Sequence, residues 1–282
     1  MKRLITALIA LPILIASIIL PYFFPYEYPA KLPFVIIAAA ALLAGMYEFF
    51  SITKKMELKA DATAAILASA VLFIAFLFDA PAKSDNFFGI SLAAALLIIL
   101  ISQTFRFRVD FSKMLIGTGV TIFGVFYLFF LGGFLVALRM TLETRPSLST
   151  NLLIFFFLVL WLGDSLAYYT GRYLGKHKLA PKISPGKTWE GCVGGMLGSL
   201  GAAALATYTF FPELPLNASL PLAAAMNVLG VLGDLMESAV KRGAGTKDAA
   251  SILPGHGGFL DRLDSLLFNA PLLYYFARIY FA

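Results

Sequence analysis

Nine stretches of this chain are apolar for long enough to cross a bilayer, and nothing else in the sequence restricts its fold as strongly. They lie at about 4–24, 32–51, 62–78, 87–102, 114–138, 151–170, 191–211, 220–240 and 264–281, the third and fourth being short. A spanning helix needs roughly 20 mostly apolar residues. The bilayer interior admits only structures that satisfy their own backbone hydrogen bonds. The alternating pattern of a membrane barrel is absent, and prolines such as Pro21, Pro25, Pro29, Pro33, Pro212 and Pro215 mark the span ends. Composition agrees: 60% of the residues are hydrophobic and 13% charged, against about 25% charged in soluble chains. The expected fold is an all-α, polytopic integral membrane protein with about nine transmembrane helices.

The scarce charges orient it. Lys31, Lys83, Arg139, Arg145 and Arg278 fall on one side of such a bundle, and the other 17 of the 22 Lys and Arg fall on the opposite side. Positive loops stay in the cytoplasm, so the N-terminus is expected there, in an inner membrane. The first span follows Lys2 and Arg3 but ends in Pro-Tyr-Phe-Phe-Pro, without a small-residue cleavage site, and reads as a retained helix. The lone Cys192 excludes an intramolecular disulfide and a thiolate metal cluster, and its glycine neighbours suggest small-residue packing.

Residues 1–150 read as a scaffold of about five helices. Glu48, near the end of the second span, either snorkels to the interface or reaches an internal polar site. Residues 151–282 read as a catalytic domain of about four helices with two basic cytoplasmic loops. Here Asp164 lies within the sixth span, and Asn227, Asp234, Glu237 and Ser238 within the eighth. Asp261, Asp264 and Ser265 open the ninth. A carboxylate inside a span is costly and usually faces a cavity or a partner. Asn227, Gly230, Asp234, Glu237, Ser238 and Lys241 recur at steps of three and four, hence on one helix face. Asp261 and Asp264 would also suit a helix N-terminus, and Lys241 and Arg242 a helix C-terminus. The loop between them holds five glycines with Lys247, Asp248 and His256. Glycines beside fixed cations suit polyphosphate, and nearby carboxylates suit a hard divalent cation. The second basic loop runs from Gly171-Arg172 to Lys187-Thr188. Leu-Gly-Asp followed by Arg eight residues after the Asp occurs at both Asp164 and Asp234, an echo that predicts one shared site for the two acids. Gly186-Lys187-Thr188 is no P-loop, because the required earlier glycine is Pro181 and no strand precedes it. No nucleophile elbow, zinc-protease motif or Asp-Gly pair is present.

Ser238-Ala239-Val240-Lys241-Arg242, then Lys247-Asp248, then Leu253-Pro254-Gly255-His256-Gly257-Gly258-Phe259-Leu260-Asp261-Arg262-Leu263-Asp264 resembles the signature of phosphatidate cytidylyltransferases, also called CDP-diacylglycerol synthases. Gly163-Asp164 and Ser184-Pro185-Gly186-Lys187-Thr188-Trp189-Glu190-Gly191 resemble the upstream motifs of that family. The resemblance covers roughly 160–270, and Cys192 departs from a usual small polar residue. It implies transfer of CMP from CTP to phosphatidic acid, giving CDP-diacylglycerol and pyrophosphate, with Mg²⁺ or a pair of metal ions, one of which the resemblance allows to be monovalent. On that reading Asp234 and Asp261, then Asp264 and Asp164, hold metal. Lys241, Arg242, Lys247 and Arg262 hold the phosphates, with His256 against a phosphate oxygen. Arg172, Lys187, Ser238 and Asp248 complete nucleotide binding. The expected partners are CTP, phosphatidic acid, membrane lipids and a second copy in a homodimer, with no role for nucleic acid. The rival readings are an anion transporter and a CTP-dependent lipid kinase or related CDP-lipid synthase. The first would spread its polar residues through the full membrane depth, whereas these gather near one face.

Overall fold

The computed structural model describes residues 2–24, 28–78, 81, 85–106, 111–141, 147–246 and 258–281. Among them the chain forms α1 (Lys2–Phe23), α2 (Leu32–Lys55), α3 (Ala62–Leu77) and α4 (Asp85–Arg106). Next come α5 (Met114–Val125) and α6 (Leu131–Thr141), joined without a break by a π-helical turn at Phe126–Phe130. Then follow α7 (Leu148–Tyr173), α8 (Trp189–Tyr208), α9 (Leu216–Gly243) and α10 (Leu260–Tyr280). With α5 and α6 taken as one rod, each expected span has its helix.

Six segments are long and apolar enough to cross a membrane by themselves: Tyr28–Lys55, Asn86–Arg106, Met114–Met140, Leu148–Tyr173, Trp189–Tyr208 and Leu216–Gly243. The count of about nine is therefore approximate. Helix α3 is short, and α10 opens on Asp261, Arg262 and Asp264. Large apolar side chains point outward, Leu115 at 84% and Ile279 at 82% exposure. Such an arrangement would cost free energy in water and none in lipid. The protein is an integral membrane protein.

The interior joins the two ends of the sequence. Phe34, Phe76 and Phe134 pack in one cluster with Phe155, Phe156, Ala202, Ala223 and Tyr274. Helices α7 and α8 meet along Gly191, Gly194, Gly195 and Gly198, two turns rich in small residues that let two backbones touch. A Cβ at Gly198 would stand 2.7 Å from the Leu162 carbonyl oxygen.

Two findings correct the sequence reading. The second basic loop contains an antiparallel hairpin, β1 (Lys178–Ala180) and β2 (Ser184–Thr188), with Lys178 opposite Thr188. Strands of three and five residues are too short to give a periodic signal. Arg139, assigned to an outer loop, is fully buried near the end of α6. Pro21 has no N–H, so the carbonyl of Ser17 lacks its helical donor. Arg139 supplies one, its Nη2 donating to Ser17 O at 2.8 Å and Ile18 O at 2.7 Å while Nη1 donates to Thr150 Oγ1 at 2.9 Å. The guanidinium ties α1, α6 and α7 together, and the positive bias between the two faces becomes steeper without it.

Candidate active site

The hairpin aims Lys187. Thr188, the last residue of β2, is buried and accepts the Gly191 N–H at 3.1 Å, capping α8. His177 Nδ1 lies 2.6 Å from Glu190 and closes the hairpin base onto the same helix start. Strand alternation sends Lys187 the other way, and its ammonium reaches Asp234 Oδ2 at 2.7 Å on α9. Arg242 Nε donates to the Ile183 carbonyl in the hairpin turn at 3.2 Å, so the two basic segments are in contact.

Beneath the hairpin is a cleft of about 500 Å³ between α7, α8 and α9. Asp164, Arg172, Lys187 and Asp234 line it, with Asn227 and Ser199 deeper in. Both acids of the Leu-Gly-Asp echo thus face one space. Asp234 lies within charge-interaction range of Asp164 and of Asp264, which starts the next helix. Ser238 donates to Asp234 Oδ1 at 3.2 Å. Arg172 donates to the Tyr168 hydroxyl at 2.8 Å and stays exposed at the rim. Cys192, half-buried, also lines the cleft.

A second polar group lies one turn along. Lys241 contacts Glu237 Oε2 at 2.7 Å and Asp261 Oδ1 at 2.5 Å, while Asp261 Oδ2 accepts the Gly258 N–H at 3.1 Å. Asp261 is therefore engaged by Lys241. Arg262 points away from this face of α10 and lines an apolar cavity. Lys247, Asp248 and His256 lie outside the described residues.

Two residues of the first 150 contribute: Glu48, for which the sequence leaves an internal polar site open, and Tyr127, which no sequence signal marks. Glu48 is completely buried, and its Oε2 accepts the Leu260 N–H at 2.8 Å. It caps α10, whose own N-cap residue Phe259 offers no side-chain acceptor. Gly258 is required beside it, since a Cβ there would stand 2.9 Å from the Glu48 carboxyl carbon. Tyr127, on the π-helical turn, has a buried hydroxyl with no hydrogen-bond partner among the described residues. It lies within charge-interaction range of Asp264, Glu237, Asp234 and Asp261, and its ring packs against Phe268. A π-helical turn is itself a frequent mark of functional positions.

Among the described residues no three His, Cys, Asp or Glu side chains stand together as a ready metal cluster. The donor chemistry nevertheless fits a hard cation. Asp164, Asp234 and Asp264 are oxygen donors in mutual electrostatic contact, with the Lys187 ammonium in range of all three.

The fold and cleft define a class: a polytopic membrane protein that gathers carboxylates and cations at one end of its helices, where polyanions and bilayer lipid can meet. A model of the cytidylyltransferase family matches residues 1–280, and the chain belongs to that family. Over 129 residues it is 44% identical to a phosphatidate cytidylyltransferase of Haemophilus influenzae, a match covering 44% of this chain and 45% of that protein. Over 123 residues it is 50% identical to a phosphatidate cytidylyltransferase of Staphylococcus haemolyticus, covering 43% and 46%. These matches span about half the length of the curated relatives.

Proposed function

We propose that the protein is a CTP:phosphatidate cytidylyltransferase. The observation that carries this reading is the cleft in which Asp164, Asp234, Lys187 and Arg172 converge from a membrane-embedded helix pair and a basic hairpin. Family membership and the names of the two relatives point the same way. The site faces the cytoplasm on this reading, where CTP is supplied, in accord with the positive loops.

The chemistry asks for no protein nucleophile. An oxygen of the phosphatidate phosphate attacks the α-phosphorus of CTP, forming the new P–O bond as the bond from that phosphorus to the α–β bridging oxygen breaks. Pyrophosphate carries the electron pair away. The difficulty lies in bringing two polyanions together and stabilising the leaving group, which is electrostatic and positional work. Lys187 and Arg172 bind the triphosphate from the hairpin side, and Lys247, Asp248 and His256 add to nucleotide and phosphate binding as the family resemblance implies. Lys241, Arg242 and Arg262 hold charge at the lipid side. Asp164, Asp234 and Asp264 would hold a divalent cation, Mg²⁺ by donor type, joined by Asp261 when its pair with Lys241 opens. Such an ion would neutralise phosphate oxygens and polarise the α-phosphorus. Residues 1–150 form the scaffold and residues 151–282 carry the chemistry, with Glu48 and Tyr127 as contributions from the first part.

The deciding experiment supplies purified protein with phosphatidate and CTP labelled at either the α- or the γ-phosphorus. Label from the α position in the lipid product, with none from the γ position, is expected. Label from the γ position alone would make the protein a lipid kinase and overturn the proposal.

A further inference from the structure

A second cavity of about 480 Å³ lies on the opposite face of α10 from the aspartates. Its volume is that of a small-molecule pocket, of the order of 300–1,000 Å³. Its walls come from α1, α2, α6, α7 and α10, and every lining side chain is apolar except Arg262. Ala38, Ala41 and Gly132 leave its centre open, and Trp161 lines its α7 side at 39% exposure.

Two observations identify what fills it. The first is continuity with the cleft. Phe157, Trp161, Asp164 and Tyr168 follow one another on α7 at steps of four, three and four, hence along one stripe. Phe157 and Trp161 line the apolar cavity, while Asp164 and Tyr168 line the polar cleft. Less than one helical turn, about 5 Å of rise, separates Trp161 from Asp164. The second is polarity along the cavity. Arg262 stands in the first turn of α10, at the end where the polar clusters lie, and Phe34 stands in the first turn of α2, which runs toward that end. The cavity is therefore cationic at the polar end and apolar beyond it, complementary to a lipid with an anionic head and an acyl tail.

We infer that this cavity seats an acyl chain of phosphatidate. Arg262 receives the lipid phosphate, and the α7 stripe leads that phosphate past Trp161 to the cleft at Asp164. The inference rests on the function proposed above. It makes Ala38 and Ala41 determinants of chain length, because they set the free depth of the cavity.

The test uses the full-length protein in detergent micelles and reads both binding and chain length. Phosphatidate and phosphatidylcholine with brominated acyl chains are compared at equal mole fraction as quenchers of tryptophan fluorescence, with Trp161→Phe isolating the signal of Trp161. Phosphatidate should quench that signal several-fold more than phosphatidylcholine, and Arg262→Gln should remove the difference. Equal quenching by the two lipids would mean a groove filled by bulk lipid and would overturn the inference. In parallel, Ala41→Phe should lower the ratio of kcat/KM for dioleoyl over dihexanoyl phosphatidate at least fivefold. An unchanged ratio in folded Ala41→Phe protein would overturn it as well. Wild-type protein that transfers no CMP even to dihexanoyl phosphatidate would instead refute the proposed function, whatever the quenching shows.

Discussion

Asp234 meets more of the site than any other single residue described. It pairs with Lys187 from the hairpin, accepts from Ser238 on its own helix and shares its field with Asp164 and Asp264. Asp234→Asn keeps the size and removes the charge. CMP transfer should fall by about 10²–10³, the usual range for loss of one electrostatic contributor at a reacting centre, while the detergent melting temperature stays within a few degrees. Activity within threefold of wild type would remove Asp234 from the chemistry. Tyr127→Phe is a finer probe, since it deletes only a buried hydroxyl and keeps the ring against Phe268. A fall of roughly tenfold or more in kcat is expected, read together with an unchanged melting temperature. A purely packing role would leave kcat alone. Spacing in the sequence made Asp164, Asp234, Ser238 and Lys241 legible, because a helix converts steps of three and four into one face. Glu48 was legible only as one of two alternatives, and Tyr127 not at all. Their roles depend on which distant helices pack together, and no local pattern encodes that.

Among the helices, the contact of α7 with α8 positions both Asp164 and the hairpin that carries Lys187. Gly198 faces Leu162 across it, whereas a Cβ at Gly201 would meet nothing within 4 Å. Gly198→Leu should therefore destabilise by about 1–3 kcal/mol, the range for an overpacked interior, and lower activity with it. Gly201→Leu on the same helix should do neither, and equal thermal shifts for the two variants would contradict the packing account. Helix α3 offers a test by pH. Asp61 caps it by accepting the Ala64 N–H at 3.0 Å, receives Ser102 Oγ at 2.6 Å from α4, and lies 3.6 Å from Arg106. Burial alone would raise its pKa, but these hydrogen bonds and the arginine outweigh it and hold the carboxyl below its ordinary value of 3.8. A depressed folded-state pKa means stability that is fully present above the ordinary carboxylate range and is lost as pH falls through the folded value. Asp61→Asn should thus melt earlier than wild type at pH 7, by about 1–2 kcal/mol for charged hydrogen bonds. The gap should begin to close near pH 3.8 and vanish below the folded value. A gap that persists unchanged at pH 3 would show that the carboxylate charge is not its source. The existence of these helices was plain from apolar run lengths, while the hairpin was not, because strands this short have no period to read.

Over the whole molecule, the two ends of the bundle divide their tasks. Carboxylates and cations gather at one end, and Arg139 braces α1, α6 and α7 toward the other. Arg139→Met keeps the stem but strands the carbonyl of Ser17, while Ile18 still accepts from Thr150 Oγ1 at 3.2 Å, which should cost about 1–3 kcal/mol in thermal stability. KM for CTP should not change in the protein that remains folded. A changed KM with normal stability would mean that the brace acts on the site instead. The sequence reading mistook this arginine for a loop charge because position along the chain alone cannot tell a charge beside a span from one buried within the bundle. The orientation expected from the positive loops rests on many cations at once and does not depend on this one. Glu48 has a consequence of another kind, in the making of the protein. It is synthesised with α2, 212 residues before the amide it will accept. Until α10 is made the nascent bundle therefore holds an acid whose eventual donor does not yet exist, one that must rely on a proton or on water. The arrival of α10 relieves that acid and, by the same contact, sets Asp261 and Asp264 in place. Docking of α10 and assembly of the site are a single event.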